Sequence, residues 1–491
     1  RLSGLPAALA PFMPGRDFDR DPIALCMGAV ALGLALGYLF AALWRASNRL
    51  RAGLIAAASV ALVVIPTLGF IALGSATDRP YGQDGGVVQL PLALDRVVAG
   101  RSPYGADYSD SILGKESRVS DFWALHGGNP ILHHHAYLPG THLLMLPGYL
   151  LARVLGWRFD PRFVTLLAYG LGALCVGRLV AQPERRLVAV AVVLLNPLAY
   201  WLQVFGANDI LAVTLLLAAL LVGRNRPLWA AALLGLACAT KQLAWPFAPF
   251  VLLHLSGLRT LRDLRGGDGR RCLRLVSTVA LLVFAAVVLP LAALDLRAFW
   301  GDIVVYNVGL PGADNYPLGG TPGFGFANVL VYFAMVKSLK DYVPLAASYL
   351  ILLPIGLLLL RRQLKEGTEA AALLSGSAAL LASLYLSRVV HPNYLILAAI
   401  LIPIAGLLDR RVPVDVIVLP LLLLGWAVEI VEHELFRATW EDALGVRLPL
   451  HWGSLGALLG PRAGPALSLD PLGLGLSALA AGLGTAYLIG G

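Results

Sequence analysis

Charge is scarce in this chain: Asp, Glu, Lys and Arg make up 14% of its 491 residues, against about a quarter in an ordinary soluble domain. With 58% hydrophobic residues and a mean hydropathy of +0.75, too few polar groups remain to face water, and lipid must serve as the solvent. Cysteine is scarce as well. The four, Cys26, Cys175, Cys238 and Cys272, show no CxxC spacing, and the first three lie inside apolar runs. That pattern implies neither a metal knuckle nor a disulfide framework. No Walker lysine motif occurs and no strand precedes Gly323-Phe324-Gly325, which argues against nucleotide-driven export and against a dinucleotide fold. No internal repeat is evident, which counts against transporter folds built from matched halves. The chain opens on Arg1 rather than methionine and shows no cleavable signal peptide. Upstream sequence is therefore expected, and the first apolar segment is expected to stay in the protein.

What the chain does have is a succession of apolar runs long enough, at roughly 17 to 25 residues each, to cross about 30 Å of hydrocarbon. Unpaired backbone groups cost several kcal/mol in lipid, so solid apolar runs must be helices, whereas barrel strands would alternate. The expected class is all-α, a polytopic bundle of about twelve to thirteen helices. The net charge of +9 comes from short basic clusters between apolar runs, the signature of cytoplasmic loops, and no nucleic-acid partner is expected.

These clusters set an orientation. Arg45, Arg49 and Arg51 separate a segment from about Pro22 to Trp44 from one running from about Ala52 to Gly74. Arg259 to Arg274, then Arg361, Arg362 and Lys365, then Asp409, Arg410 and Arg411 supply further cytoplasmic anchors. The parity works if Leu138 to Gly156, broken by Pro139 and Pro147, is re-entrant or interfacial rather than spanning. Outer loops are then expected over 75–137, 295–343 and 432–470 of a single domain spanning 1–491. Five polar patches fall on one side: Tyr81 to His135, Gly206 to Asp209, the region of Lys241, Trp300 to Asn328, and Arg388 to Tyr394.

Within these patches a few residue types could carry chemistry. Asp84 sits in Tyr-Gly-Gln-Asp-Gly-Gly, where it is either a turn former or a carboxylate positioned as a general base toward a hydroxyl. After it, Val87 to Val98 reads as an amphipathic helix on the interface, closed by a Gly-Arg-Ser-Pro-Tyr turn ending at Tyr104. Asn208 and Asp209 precede an apolar run, and Asp209 is either a helix cap or a site residue. Lys241 interrupts an apolar stretch, which is costly unless the ammonium snorkels, is paired or is functional. As a compact point charge it suits a departing phosphate. Arg388, His391, Asn393 and Tyr394 share one turn. Arg388 could grip a phosphate through its planar fork, and His391 could hydrogen-bond or protonate it. Consecutive His133, His134 and His135 cannot all face one ion, so metal binding is disfavoured and lining of an acceptor opening preferred. Glycines and aromatics in Trp300 to Asn328 suit a mobile loop stacking on sugar rings, or a plain exposed turn.

The sequence of features in the first outer loop (Asp84 after an early helix, the interfacial helix, Gly100-Arg101-Ser102-Pro103-Tyr104, then Tyr137-Leu138-Pro139) resembles the GT-C superfamily of membrane glycosyltransferases. It is most similar to glycosyltransferase family 87, the polyprenyl-phosphate-mannose-dependent group. Asn196-Pro197 with Gly206-Ala207-Asn208-Asp209, small residues before Lys241, and His391-X-X-Tyr394 fit the same likeness. The resemblance implies a transmembrane bundle with Asp84 as catalytic base and His391 as its second catalytic residue. It further implies Lys241, Arg388 and Tyr394 around the donor phosphate, and Tyr104, His135, Tyr137, Asn208 and Asp209 around the substrates. No cofactor and no metal are implied.

The expected activity is therefore inverting transfer of mannose or another hexose or pentose. The donor is a polyprenyl-phosphate-linked sugar, and the acceptor is a glycolipid, glycan or protein hydroxyl at the outer face of the plasma membrane. A secondary transporter or lipid-linked-sugar flippase is the alternative. It too would need many helices and intramembrane charges, but it does not readily explain a polar loop with an interfacial helix right after the second crossing.

Overall fold

The structure is a computed structural model. It describes residues 46–409 and scattered positions of 30–44, leaving out 78–79, 81, 83, 119–127, 261, 264–266 and most of 310–349. Tyr81, the proposed 432–470 loop and most of Pro22 to Trp44 therefore lie outside the described residues, as does the side chain of Asp84.

Ser47 accepts from the Leu50 amide and starts α1, Asn48–Ser59, which passes through a π-helical turn, Val60–Val64, into α2, Ile65–Thr77. A second π-helical turn, Asp84–Gln89, leads into α3, Leu90–Val98. Then come α4, Ile112–Arg118, and α5, Pro139–Val154. The central helices are α6, Arg162–Leu179; α7, Pro183–Leu194; α8, Pro197–Phe205; α9, Ile210–Gly223; and α10, Pro227–Thr240. After a 3-10 turn, Gln242–Phe247, follow α11, Ala248–Ser256, and α12, Gly267–Ala292. The second outer segment contains α13, Leu296–Trp300, a π-turn, Gly301–Val305, and α14, Tyr306–Val308. The remainder holds α15, Leu352–Glu366; α16, Glu369–Tyr385; a 3-10 turn, Pro392–Leu395; and α17, Ile396–Leu408. The one strand pair among the described residues joins Gly319–Gly320 to Val389–Val390.

Among the described residues, three helices are long and apolar enough to cross a membrane: Asn48–Ala76, Arg162–Leu179 and Gly267–Ala292. The expected all-α membrane bundle is what the chain forms. At its centre α9 is apolar on every side because α6, α10 and α17 surround it, and Ala212, Val213, Leu216, Leu217 and Leu220 are fully buried. The two innermost helices, α9 and α10, have only 14 residues each. Helices of that length span about 21 Å, some 9 Å short of a hydrocarbon core. Their meeting ends, Asp209 and Lys241, are therefore sunk below the reach of the longer helices.

Helix directions sort the loops onto two ends. Arg162 at the start of α6 reaches the Val204 carbonyl just before α9, while Arg224 after α9 reaches the Leu179 carbonyl at the end of α6, so α6 and α9 run parallel. Arg224, Arg259, Glu366, Glu369 and Asp409 gather at one end, so Arg259 and Asp409, from two of the expected anchors, share it; Arg45, Arg410 and Arg411 lie outside the described residues. Asp209, Lys241, Asp302 and Asn393 gather at the other. Part of the most basic segment is helix rather than loop: α12 already contains Arg270, Arg271 and Arg274, with Asp268 in its first turn to offset the helix dipole.

Helix α5 lies across the second end. Thr141 at its start donates to the Thr240 carbonyl at the end of α10 (2.8 Å), and Tyr149 packs on Phe159 just before α6 (5.6 Å between rings). A helix touching the same-side ends of two bundle helices crosses their tops. Helix α3 rests on it, with Leu90 and Leu94 in one cluster with Met145 and Tyr149.

Candidate functional site

Lys241 ends α10. The helix runs Ala237, Cys238 and Ala239 tightly against its neighbours, and Lys241 then leaves it in extended conformation (φ −144°, ψ 135°). Its ammonium would be stranded in an apolar interior, and the fold answers with Asp209, whose Oδ1 lies 3.1 Å from Lys241 Nζ; both residues are at most 6% exposed. The Tyr137 ring lies beneath the same ammonium, 4.4 Å from Nζ to centroid, a cation–π contact. On its other oxygen Asp209 accepts from Asn393 Nδ2 (3.0 Å). One carboxylate thus joins the start of α9, the end of α10 and the turn before α17. Asp209 makes no capping hydrogen bond to α9. The capping alternative is replaced by the ion pair, since an uncompensated buried charge costs more than a lost cap.

Two further predicted residues, His391 and Tyr394, lie near the Asp209 carboxylate. The His391 ring stands edge-on between Tyr316 (4.9 Å) and Tyr394 (5.3 Å). Burial pushes the His391 imidazole down to about 4, against the pull of the Asp209 carboxylate, so it is neutral near pH 7. Arg388 is buried and its Nε donates to the Tyr316 carbonyl (3.3 Å). Asn208 is fully buried, and neither its amide nitrogen nor its amide oxygen has a partner among the described residues. Such an orphan costs about 1–3 kcal/mol unless something hydrogen-bonds it.

The first outer loop reaches the same place. Gly85 packs on Tyr137 so closely that a Cβ at 85 would lie 2.7 Å from the Tyr137 hydroxyl oxygen. The backbone of Asp84 is thus one residue from the ring that carries Lys241. Tyr104 is buried, and its hydroxyl donates to the Tyr137 carbonyl (3.0 Å), so it supports Tyr137 from behind. The three histidines diverge, as expected of consecutive residues: His133 toward Asp107, His134 to Asp302 (2.8 Å) and His135 to His142 (2.8 Å). His135 is held well below the usual imidazole range by burial and by His142. Among the described residues no group of three His, Cys, Asp or Glu could hold a metal ion.

Asp302 is the residue that sequence reasoning undervalued. The composition of Trp300 to Asn328 suits a mobile loop or an exposed turn, but Asp302 is 1% exposed, and its carboxylate accepts from the amides of Gly105 (2.8 Å) and His135 (3.0 Å) as well as facing His134. The stretch Leu296–Val308 is helical and clamps the first loop. The only signal was an acid flanked by apolar residues, Asp302-Ile303-Val304-Val305.

A sequence model of glycosyltransferase family 87 matches residues 135–387, just over half of the chain. The match includes His135, Tyr137, Asn208, Asp209 and Lys241 and stops one residue before Arg388. No curated protein matches. Among solved structures, ArnT from Cupriavidus metallidurans bound to undecaprenyl phosphate is similar. The identity is 15% and the TM-score 0.42, covering 88% of this chain and 77% of that one.

Proposed function

The chain belongs to glycosyltransferase family 87, within the GT-C superfamily, and on that premise we propose that it moves a sugar from a polyprenyl-phosphate carrier to a hydroxyl acceptor at the Lys241 end of the bundle. The observation that carries this reading is the sunk Lys241–Asp209 pair over Tyr137, with His391 and the orphaned Asn208 beside it. A fixed ammonium in a dry recess is what a departing phosphate requires, because a preorganised charge needs no reorganisation as the bond breaks. Lys241 has three N–H donors and Asp209 uses one direction, so the ammonium is held without being exhausted.

In the proposed step an acceptor oxygen attacks the anomeric carbon while Asp84 takes its proton. The sugar–phosphate bond breaks with inversion, and the carrier leaves as its phosphate, stabilised by Lys241 and Arg388. Neutral His391 and Tyr394 donate hydrogen bonds to that phosphate. Tyr137, His135, Asn208 and Asp209 border the sugar, with Tyr104 behind Tyr137. The acceptor is a glycolipid, glycan or protein hydroxyl, and the sugar mannose or another hexose or pentose. Under this reading the basic end faces the cytoplasm and the site faces outward across the plasma membrane.

The test is Asp84→Asn in membranes supplied with radiolabelled polyprenyl-phosphate sugar. General-base removal should slow transfer on the order of 10²- to 10⁴-fold. Consumption at the wild-type rate would remove Asp84 from the chemistry.

A further inference from the structure

A second recess is lined in part by α3 and shares no lining residue with the Lys241 cluster. It is a cavity of about 630 Å³ between the end of α2, α3 and the segment that follows α5. Ile71, Val87 and Leu92 contribute apolar wall, whereas the rim carries Arg153, Trp157 and Arg158, all exposed. Arg158 is anchored on the Gly74 carbonyl (3.2 Å), and the Tyr149 hydroxyl donates to Asp95. The other acid in the wall, Asp160, is neutralised by buried Arg162 (2.6 Å). Among the described residues, the lining thus holds two guanidiniums, Arg153 and Arg158, and one further carboxylate, Asp95.

Next to this rim the outer face of α5 is apolar. Leu150, Leu151 and Val154 are exposed, Val154 to 84%, and Leu155 and Trp157 continue the strip, Trp157 at 68%. A flat-lying helix with a bare apolar strip, a tryptophan and arginines at its end has the composition of an element embedded at the lipid headgroup level. Guanidiniums pair with phosphate through two parallel hydrogen bonds and tolerate partial burial, and the strip beside them offers a bed for hydrocarbon chains. A free anion would use the arginines and leave the strip bare; a neutral lipid would do the reverse.

We infer that this recess is a binding site for an anionic phospholipid, its phosphate taken by Arg153 and Arg158 and its acyl chains laid along the Leu150–Leu155 strip. The lipid would brace α3, whose leading turn begins at Asp84. None of the rim residues belongs to the Lys241 cluster, so the inference stands apart from the transfer reading.

The experiment uses the full chain in phosphatidylcholine nanodiscs titrated with phosphatidylglycerol, with thermal midpoint and native mass spectrometry as readouts. Phosphatidylglycerol should raise the midpoint and stay bound. Arg153→Gln/Arg158→Gln should weaken its apparent affinity about tenfold, equivalent to roughly 1.4 kcal/mol, while Arg101→Gln/Arg118→Gln, outside the recess, should not. Leu92→Trp keeps both charges and fills the recess; it should produce the same loss, and it decides the matter if the double arginine variant fails to fold. Equal response to phosphatidylcholine and phosphatidylglycerol would overturn the inference. So would full competition by inorganic phosphate, or undiminished binding in Leu92→Trp.

Discussion

At the basic end of the bundle, Arg224, Arg259 and Arg185 donate to carbonyls at helix C-termini: Leu179 (2.9 Å), Glu366 (2.6 Å) and Leu407 (3.4 Å). At the other end Lys241 is spent on a carboxylate that is itself buried, over an aromatic face, beside an amide with no partner. Arginine beside a C-terminal carbonyl is a local solution, favoured by the helix dipole and reachable from water, so each such residue is individually replaceable. A buried ion pair is a different commitment. Its desolvation is tolerated only while both partners stay, and an apolar replacement of both is often neutral or stabilising. When a fold retains such a pair at the meeting ends of its two innermost helices, each only 14 residues long, stability alone does not account for it.

The largest effect should come from breaking that pair. Lys241→Met leaves Asp209 buried with Asn393 as its remaining described partner, and Asp209→Leu leaves the ammonium over Tyr137 alone; each should cost about 3–5 kcal/mol of stability. The double variant should recover most of that loss in thermal denaturation. It should not recover transfer, because the phosphate-facing charge is gone. Recovery of both stability and transfer would make the pair structural and sink the proposed site.

A smaller effect separates the ends by pH. The folded-state value of His391, about 4, lies below the ordinary imidazole value, so the unfolded chain holds the extra proton between the two. Its contribution to stability is therefore fully present above about pH 6.5 and lost as pH falls toward 4, up to about 3 kcal/mol. Comparing thermal midpoints of wild type and His391→Gln from pH 7 to 4 checks this: the wild type should lose more on acidification. A bound carrier phosphate should raise the His391 value, since a nearby anion favours the imidazolium.

How much of this was legible beforehand follows from where the signal sits. Lys241 announced itself because a lysine in an apolar run has few cheap explanations. Asp209 drew notice beside it in the chain order, but its choice of Lys241 depends on where short helices α9 and α10 end in space, which no spacing encodes. The amphipathic character of α3 was visible in its own residues, with Leu90 and Leu94 on the buried side. Asp302 carries little signal of its own, because its partners Gly105 and His135 lie 197 and 167 residues away. Pro147 marked 138–156 as non-spanning, yet α5 continues through it as a helix across the bundle end. Charge alone places Arg270, Arg271 and Arg274 in a loop, yet all three lie in α12. Helix α12 simply starts earlier than its apolar part.

The smallest expected effect is at the basic end, where Arg224 and Glu369 form a two-pronged pair: Nε to Oε1 and Nη2 to Oε2, each at 2.7 Å. The arginine side chain is 38% exposed, so solvent screens the attraction, and Arg224→Gln should cost no more than about 1 kcal/mol. Glu369→Gln should cost slightly more. It removes the same pair and also an acid from the first turn of α16, where the helix dipole rewards negative charge by about 0.3–1 kcal/mol. High salt should shrink both differences, whereas the Lys241→Met penalty, buried from ions, should persist. Transfer rates should stay at wild-type level in both variants. If Arg224→Gln abolishes transfer as thoroughly as Lys241→Met, the charges at the two ends are not distinct in kind, and the basic end must be counted as part of the machinery.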